Sequence, residues 1–439
     1  MKKPITIFWF RRDLRLDDNH GLYQALKSGN DVLPLFIFDT DILTDLLKDD
    51  HRVSFIHHQL ERMNTALNNQ GCSLLIQQGS VHDVFVQLLN KYDVQKVIVN
   101  EDYEPQAIKR DKEIQKFLSD KDIVFESYKD QVIFHKDEVV KGDGTAYRVY
   151  TPYKNQWKQT LVNEKDFKAY NSESYLDNCI KDTSLQWLSL KDIGFTKSNI
   201  IAPEYTLDSD LIEHYANKRD IPREDGTSHL STYLRFGVVS IRACAKQAYT
   251  AKDHTFLHEL IWREFFMAIL WHYPHTVTQS FYEQYDYIQW ENNEKDFRAW
   301  KEGKTGYPIV DAGIRELNTT GYMHNRVRMI VASFLCKHLL IDWRWGERYF
   351  AEKLFDFELS SNVGNWQWVA GTGVDAAPYF RIFNPHTQLT KFDKNLEYTK
   401  KWVPEYETDK YPQEIVDHKE ARERCLERYK EAREGYKQG

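Results

Sequence analysis

The sequence predicts two architectures in one chain: an N-terminal doubly wound parallel α/β sheet of five strands, Rossmann-like, followed by an all-α C-terminal half. Three observations predict this. Over residues 1–130 the hydrophobic pattern switches repeatedly between a period of about 2 and one of about 3.6 residues. After residue 206 the strand period gives way to long, very apolar helical segments. With 439 residues, 41% of them hydrophobic and 28% charged, the chain can bury more than one core.

The elements follow in order. Runs rich in β-branched and aromatic residues, "ITIFWF", "VLPLFIFD", "SLLIQQG", "KVIVNED" and "IVFESY", read as strands. Between them stand the helical patterns "NHGLYQALKSG", "RVSFIHHQLERMNTALNNQG", "SVHDVFVQLLNKYD" and "EPQAIKRDKEIQKFLSDK". A helix between successive strands is the crossover that parallel neighbours require. Residues 131–205 are polar and mixed, with "KGDGTAY" as a turn, and read as a connector carrying short helices. In the helical part, 206–439, "TFLHELIWREFFMAILWHYP" and "HNRVRMIVASFLCKHLLID" are apolar enough to predict burial. The final "HKEARERCLERYKEAREGYKQG" reads as a charged helix with a solvated face.

Composition narrows the function. A net charge of −7 gives no overall attraction for nucleic acid, so any such contact needs a local basic face. Cys72, Cys179, Cys244, Cys336 and Cys425 are scattered, odd in number and without a C-x-x-C pair, which argues for a reducing, cytoplasmic setting and against a zinc site. No run approaches the roughly 18 apolar residues of a membrane span. Two phosphate-loop look-alikes fail on context. "GTGVDA" lacks the strand before it and the helix after it, and "EGKTG" has Arg298 where a P-loop needs its first glycine.

Candidate residues occur as pairs on helical faces. Glu259 and Trp262 (i, i+3) share one face, and Asn325 and Met329 (i, i+4) share another. Arg326 and Arg328 add cations to that second, otherwise apolar helix. "GTSHLSTYLRFG" gathers hydroxyls and backbone donors ahead of a helix, suited to a pyrophosphate or to a plain helix cap. Trp366 and Trp368 stand among glycines and asparagines in "SSNVGNWQWVAGTGVDAAPYFRIFNP". Each feature alone also fits simple packing.

Together, "FWFRRDLRLDDNHGL", "GTSHLSTYLRFG", "ELIWREFF", "WKEGKTGYPIVDAGIRELNTTGYMHNRVRM", "IDWRWGERYF" and "NWQWVAGTGVDAAPYFRIFNP" resemble the photolyase/cryptochrome flavoprotein family, most closely its class I branch acting on cyclobutane pyrimidine dimers. The resemblance implies an antenna-type α/β domain, a helical domain holding FAD, and light-driven repair of UV-damaged DNA by electron transfer from FADH⁻ to a flipped-out lesion. It further implies that Tyr215, Thr227, Ser228, His229, Leu230 and Ser231 line the FAD phosphates and ribityl chain, with Arg263, Arg328, Asp356, Phe357 and Glu358 near the flavin. Glu358 stands where the family usually has aspartate, and Asn362 at the position facing flavin N5. Trp366, Trp343 and an exposed Trp290 would form an electron-transfer chain.

Glu259, Trp262, Asn325, Arg326, Met329, Trp368, Arg381 and Gln388 would meet the dimer or its DNA, Glu259 and Asn362 in catalytic roles. A second, antenna chromophore stays open among folate, deazaflavin and flavin. Ala107 stands where folate binders carry Glu, and Val277–Thr278 where some carry Cys-Lys. The alternatives are a signalling cryptochrome, against which the chain ends soon after its last motif, and a (6-4) photolyase. The latter uses two histidines where this chain has Asn325 and Met329. The expected protein is a cytoplasmic monomer without metal, nucleoid-associated when bound to DNA if bacterial.

Overall fold

Strand β1 (Pro4–Phe10) alternates its side chains between two interiors. Ile5, Ile7 and Trp9 join one apolar layer with Phe85, Leu88, Ile114 and Leu118, while Phe8 and Phe10 join another with Leu22, Leu60 and Leu67. A strand buried on both faces belongs in a parallel sheet covered by helices on both sides. The structure, a computed structural model describing residues 3–182 and 184–438, has that sheet. Strands β1, β2 (Asp31–Asp39), β3 (Leu75–Gly79), β4 (Asp93–Asn100) and β5 (Val124–Tyr128) run in the order β3-β2-β1-β4-β5, all pairings parallel. Helices α1 (His20–Leu26), α2 (His51–Asn68), α3 (Val81–Lys91) and α4 (Pro105–Ser119) provide the crossovers. Five strands and their four connecting helices thus fall where the alternating periods predict them.

The chain divides into two compact units, and their borders differ from the linear ones expected near 130 and 205. One unit comprises Met1–His135, Leu161–Pro203 and Leu230–Thr250; the other comprises Lys136–Thr160, Glu204–His229 and Ala251–Gly439. Buried charge explains why Leu230–Thr250 belongs with the sheet. Arg242 bridges Asp18 and Asp130, each at 2.8 Å, and Arg15 reaches Asp130 at 2.6 Å. Ion pairs of this kind leave no trace in hydrophobic periodicity.

The second unit is helical. Its elements include α5 (Tyr150–Thr160), α6 (Thr255–His272), α7 (Pro308–Thr320), α8 (Asn325–Ser333), α9 (Trp343–Lys353), α10 (Leu359–Ala370) and α11 (His418–Gln438). Trp300, Ile314, Val327, Val331, Leu335, Trp343, Phe350 and Trp366 belong to one buried cluster. Gly313 lets α7 approach α8 closely, since a Cβ there would stand 2.4 Å from Val327 Cγ1. The tail helix departs from expectation. Ala421, Cys425, Tyr429 and Ala432 recur at helical spacing and are buried, so α11 is an amphipathic packing element rather than a solvated one.

Candidate active site

Helix α6 sets the first wall. Glu259 and Trp262 share a face, and the Trp262 indole lies flat on Tyr150, with ring centroids 3.6 Å apart and planes 9° from parallel. The Tyr150 hydroxyl donates to the His258 carbonyl at 2.8 Å, fixing the stack to the helix backbone. Glu259 accepts a 2.5 Å hydrogen bond from Arg219 Nη1. Burial works against the Arg219 charge, but Glu259 outweighs it and raises the guanidinium above its ordinary value. Tyr215 packs edge-on against Phe256 and under Arg219. Its hydroxyl is pushed up first by burial and then by the charge of Glu259, so the three groups form one electrostatic cluster.

The residue after Arg219 performs the matching task on α8. Asp220 accepts from Arg326 Nη2 at 2.8 Å and Nε at 3.2 Å, while Arg326 Nη1 lies 3.6 Å from Met329 Sδ. Adjacent residues thus hold Glu259 of α6 and Arg326 of α8. Asn325, the first residue of α8, is exposed.

Helix α10 carries Trp366 and Trp368. It meets α6 at Gly364, where a Cβ would fall 2.2 Å from Phe266 Cδ1. That crossing lies one turn from Trp262 on one helix and one turn from Trp368 on the other. Glu358 is engaged as the N-cap of α10, accepting from the amides of Ser360 and Ser361 at 3.1 and 2.9 Å and from Ser360 Oγ at 2.6 Å. Asn362 is buried and its Nδ2 donates to Glu347 Oε1 at 2.8 Å. Burial raises the Glu347 carboxyl above its usual range.

Trp366 is wedged between Phe350 at 4.9 Å and Trp300 at 6.4 Å and lies against Gly346. Gly346 is three residues after Trp343 on α9, so the face that meets Trp366 also carries Trp343. The Trp343 Nε1 is buried without a hydrogen-bond partner. Trp290 packs against the same apolar cluster. It is half-buried rather than exposed, because its ring meets Tyr429 edge-on at 6.1 Å.

The hydroxyl-rich segment meets Tyr322, in the turn before α8. Thr227 Oγ1 is 3.3 Å from the Tyr322 hydroxyl, and the Ser228 carbonyl accepts from Thr206 N. His229 adopts a left-handed backbone (φ 50°) and its Nε2 is 3.0 Å from Asp225. His229 Nδ1 and His324 Nε2 are both buried without a partner. Burial holds His324 down at about 4. Unpartnered buried nitrogens cost roughly 1–3 kcal/mol each, so this corner suits a polar ligand, and it fits the phosphates of FAD. Leu230 and Ser231 continue the run into the sheet-bearing unit. Arg328 forms a bidentate pair with Asp356 at 3.1 and 2.8 Å. Arg263 is half-buried on α6, Phe357 packs against the helical cluster, Arg381 is exposed and Gln388 is half-buried.

Arg219, Asp220, Tyr150 and Glu347 escaped the sequence reading. Arg219 sits four residues after Tyr215 on a helical pattern, which was a usable signal; Tyr150 lies in the connector, where no period marks it. At the sheet's topological switch point, between β1 and β4, the chain's own side chains meet: Arg11 pairs with Asp111 at 2.5 Å and Asn100 Nδ2 donates to Asp13 at 2.6 Å. Among the described residues no cluster of metal-ligating side chains occurs, and no helix is long and apolar enough to cross a membrane.

Comparison with known proteins agrees with this geometry. Family models for DNA photolyase and for the FAD binding domain of DNA photolyase match residues 6–171 and 256–408. A deoxyribodipyrimidine photo-lyase of Escherichia coli is 36% identical over 470 residues, covering 98% of this chain and 99% of that protein. The crystal structure of a class III photolyase from Agrobacterium tumefaciens superposes with a TM-score of 0.84 at 32% identity, covering 99% of this chain and 98% of that one. An archaeal photolyase from Sulfolobus tokodaii, solved with two FAD molecules, gives 0.79 at 35% identity, covering 97% and 99%. Similarity of this degree, sustained along the full length of both partners, makes the chain a member of the DNA photolyase family.

Proposed function

We propose that this protein is a carbon–carbon lyase that splits cyclobutane pyrimidine dimers in DNA under blue or near-UV light. The carrying observation is the face of α6 that joins the Arg219-held Glu259 to the stacked Trp262. FAD, bound and reduced, supplies a light-excitable one-electron donor. His229, His324, Thr227 and Ser228 would hold its phosphates, the Arg328–Asp356 pair would serve the flavin, and Asn362, steadied by Glu347, would be the side chain toward its reactive ring.

The lesion is flipped from the duplex, a habit of photolyases in general. Trp262, backed by Tyr150, and Trp368 receive its two bases, and stacking returns roughly 1–3 kcal/mol per base. Glu259 accepts from a ring N–H of the dimer, while Arg219 puts a fixed positive charge beside the site where the dimer becomes negative. Asn325 and Met329 touch the lesion without transferring protons, as neither titrates near pH 7. Arg326, released from Asp220, binds the strand together with Arg381 and Gln388, the arginines through phosphate. Trp366 and Trp343, inside one apolar cluster, and Trp290, packed against it, would carry an oxidising equivalent away from the flavin site. The five free cysteines support a reducing cytoplasm, where the enzyme works as a monomer on chromosomal DNA.

The test is direct. Flavin-reduced protein is mixed with an oligonucleotide holding one thymine cyclobutane dimer, and dimer loss is compared in blue light and in darkness. Light-dependent recovery of two thymines is expected. A flavin that photoreduces cleanly beside an unrepaired dimer would instead mark a light receptor.

A further inference from the structure

Two of the five cysteines meet in the sheet-bearing unit. Cys72 follows the exposed turn that ends α2, and Cys179 closes the short helix Ser172–Asn178. Cys179 is tied to the sheet: it bridges Val32 of β2, and the Ile180 amide donates to the Val32 carbonyl at 2.9 Å. Cys72 Sγ lies 3.6 Å from the Leu176 carbonyl and 3.8 Å from that of Cys179, and the two thiols are hydrogen-bonded to each other. Lys181 closes the group from outside. Its Nζ donates to the Gln70 carbonyl at 2.8 Å, the same oxygen that Cys72 Sγ meets at 3.6 Å, so ammonium and thiol converge on one atom.

Packing accounts for a buried thiol, not for this company. Cys336 and Cys425 serve as small apolar core residues, and burial pushes both of their thiols up. Cys72 goes the other way. The hydrogen bond from Cys179 outweighs burial, the Lys181 ammonium adds to it, and the Cys72 thiol is lowered to about 7. Cys179 is held up, first by that same hydrogen bond and then by burial, so the shared proton rests on Cys179. Two acids oppose ionisation here: Asp177, 3.1 Å from Lys181 Nζ, acts on Cys72, and Asp31 acts on Cys179. Cys72 is buried, but Gln70, Gly71 and Lys181 around it are exposed, so only a turn and a surface lysine stand between the thiol and solvent.

We propose that Cys72 and Cys179 are a redox-active dithiol, a site of reversible disulfide formation by small hydroperoxides. The Cys72 thiolate attacks one peroxide oxygen, the O–O bond breaks, and the other oxygen leaves as hydroxide, which takes a proton from solvent. Cys72 is then a sulfenic acid. The Cys179 sulfur attacks the Cys72 sulfur, the S–O bond breaks, and the departing hydroxide takes the Cys179 proton. With hydrogen peroxide the products are one disulfide and two waters; each sulfur gives up one electron and the peroxide accepts both. A dithiol reductant reverses the bond by exchange, so in a reducing cytoplasm the pair rests as thiols. The disulfide would join the entry of β3 to the segment that bridges β2, and no residue of the repair site takes part.

The full-length protein is reduced with dithiothreitol, desalted, exposed to hydrogen peroxide near pH 7, alkylated and mapped by mass spectrometry. The expected product is a peptide pair linking Cys72 to Cys179, lost on renewed reduction and formed while Cys336 and Cys425 stay unmodified. Lys181→Gln, an exposed change that spares the fold, should slow loss of the Cys72 thiol roughly fivefold near pH 7, because less of it is thiolate. Lys181→Arg should restore the rate. In Cys179→Ser the sulfenic acid has no second thiol, and dimedone should capture it on Cys72. Absence of the linked peptide would overturn the proposal, as would a link that forms no faster than the whole chain unfolds in a denaturant jump. An equal rate in Lys181→Gln would also overturn it, and that variant decides the matter even if Cys179→Ser does not fold.

Discussion

At Gly346 an added methyl group would stand 2.1 Å from Trp366 Cη2. That missing side chain is what lets the indole lie against the helix bearing Trp343, and it exposes a division of labour between tryptophans two residues apart. Trp366 is sealed in the core while Trp368 stays half-buried beside the α6 crossing. Trp366→Phe should therefore abolish photoreduction of oxidised flavin yet leave repair by chemically reduced enzyme nearly intact, which flash spectroscopy beside a repair assay resolves. Glu259 differs in being held by Arg219. Glu259→Ala should lower repair per absorbed photon about tenfold while changing dimer affinity by less, since one preorganised group is worth of the order of 1–3 kcal/mol. A larger loss of affinity than of yield would make it a binding residue only.

Elements succeed here through their ends. Helix α10, which carries Asn362, Trp366 and Trp368, is capped in front by Glu358 and closed behind by a lysine with no exposure. Lys337 Nζ donates to the carbonyls of Ala370 at 2.6 Å and Tyr379 at 3.2 Å and sits 4.0 Å over the Tyr429 ring. Burial lowers it to about 8. Between that value and its unfolded value of about 10.4, the unfolded chain binds the extra proton, so this group's contribution to stability rises with pH. Measured by denaturant unfolding, wild type should gain on Lys337→Met between pH 8 and 10, by at most about 1.4 kcal/mol per pH unit. A flat difference would mean the lysine titrates elsewhere. The amphipathic helix α11 supplies Tyr429 for this arrangement, a role its charged composition conceals.

In the whole molecule the decisive contacts span long sequence distances. Asp130 is buried, which raises its pKa, but Arg15 and Arg242 outweigh burial and depress it. Its stabilising share is thus complete above the unfolded value near 4 and is lost as pH falls through the lower folded value. Arg242→Met leaves Asp18 without its strongest partner and Asp130 with Arg15 and the His20 amide. It should cost about 3–5 kcal/mol near pH 6 and flatten acid unfolding, because burial of Asp130 is then less opposed and its folded value moves up toward the unfolded one, as read by calorimetry across pH 3–6. An unaltered slope would show that Arg15 alone holds Asp130 ionised.

Much was legible in the chain itself. Hydrophobic periods of two kinds located all five strands and the helices between them, because burying both faces of a parallel sheet imposes its own pattern on "ITIFWF" and its neighbours. Spacing also put Glu259 beside Trp262 on one face, since i and i+3 meet on any helix. Tertiary structure alone decided the partners. Arg219 for Glu259, Tyr150 for Trp262, Glu347 for Asn362 and Arg242 for Asp18 each come from a distant segment. Local periodicity records which face of an element is apolar; it carries no information about which distant polar group will be brought to meet that face.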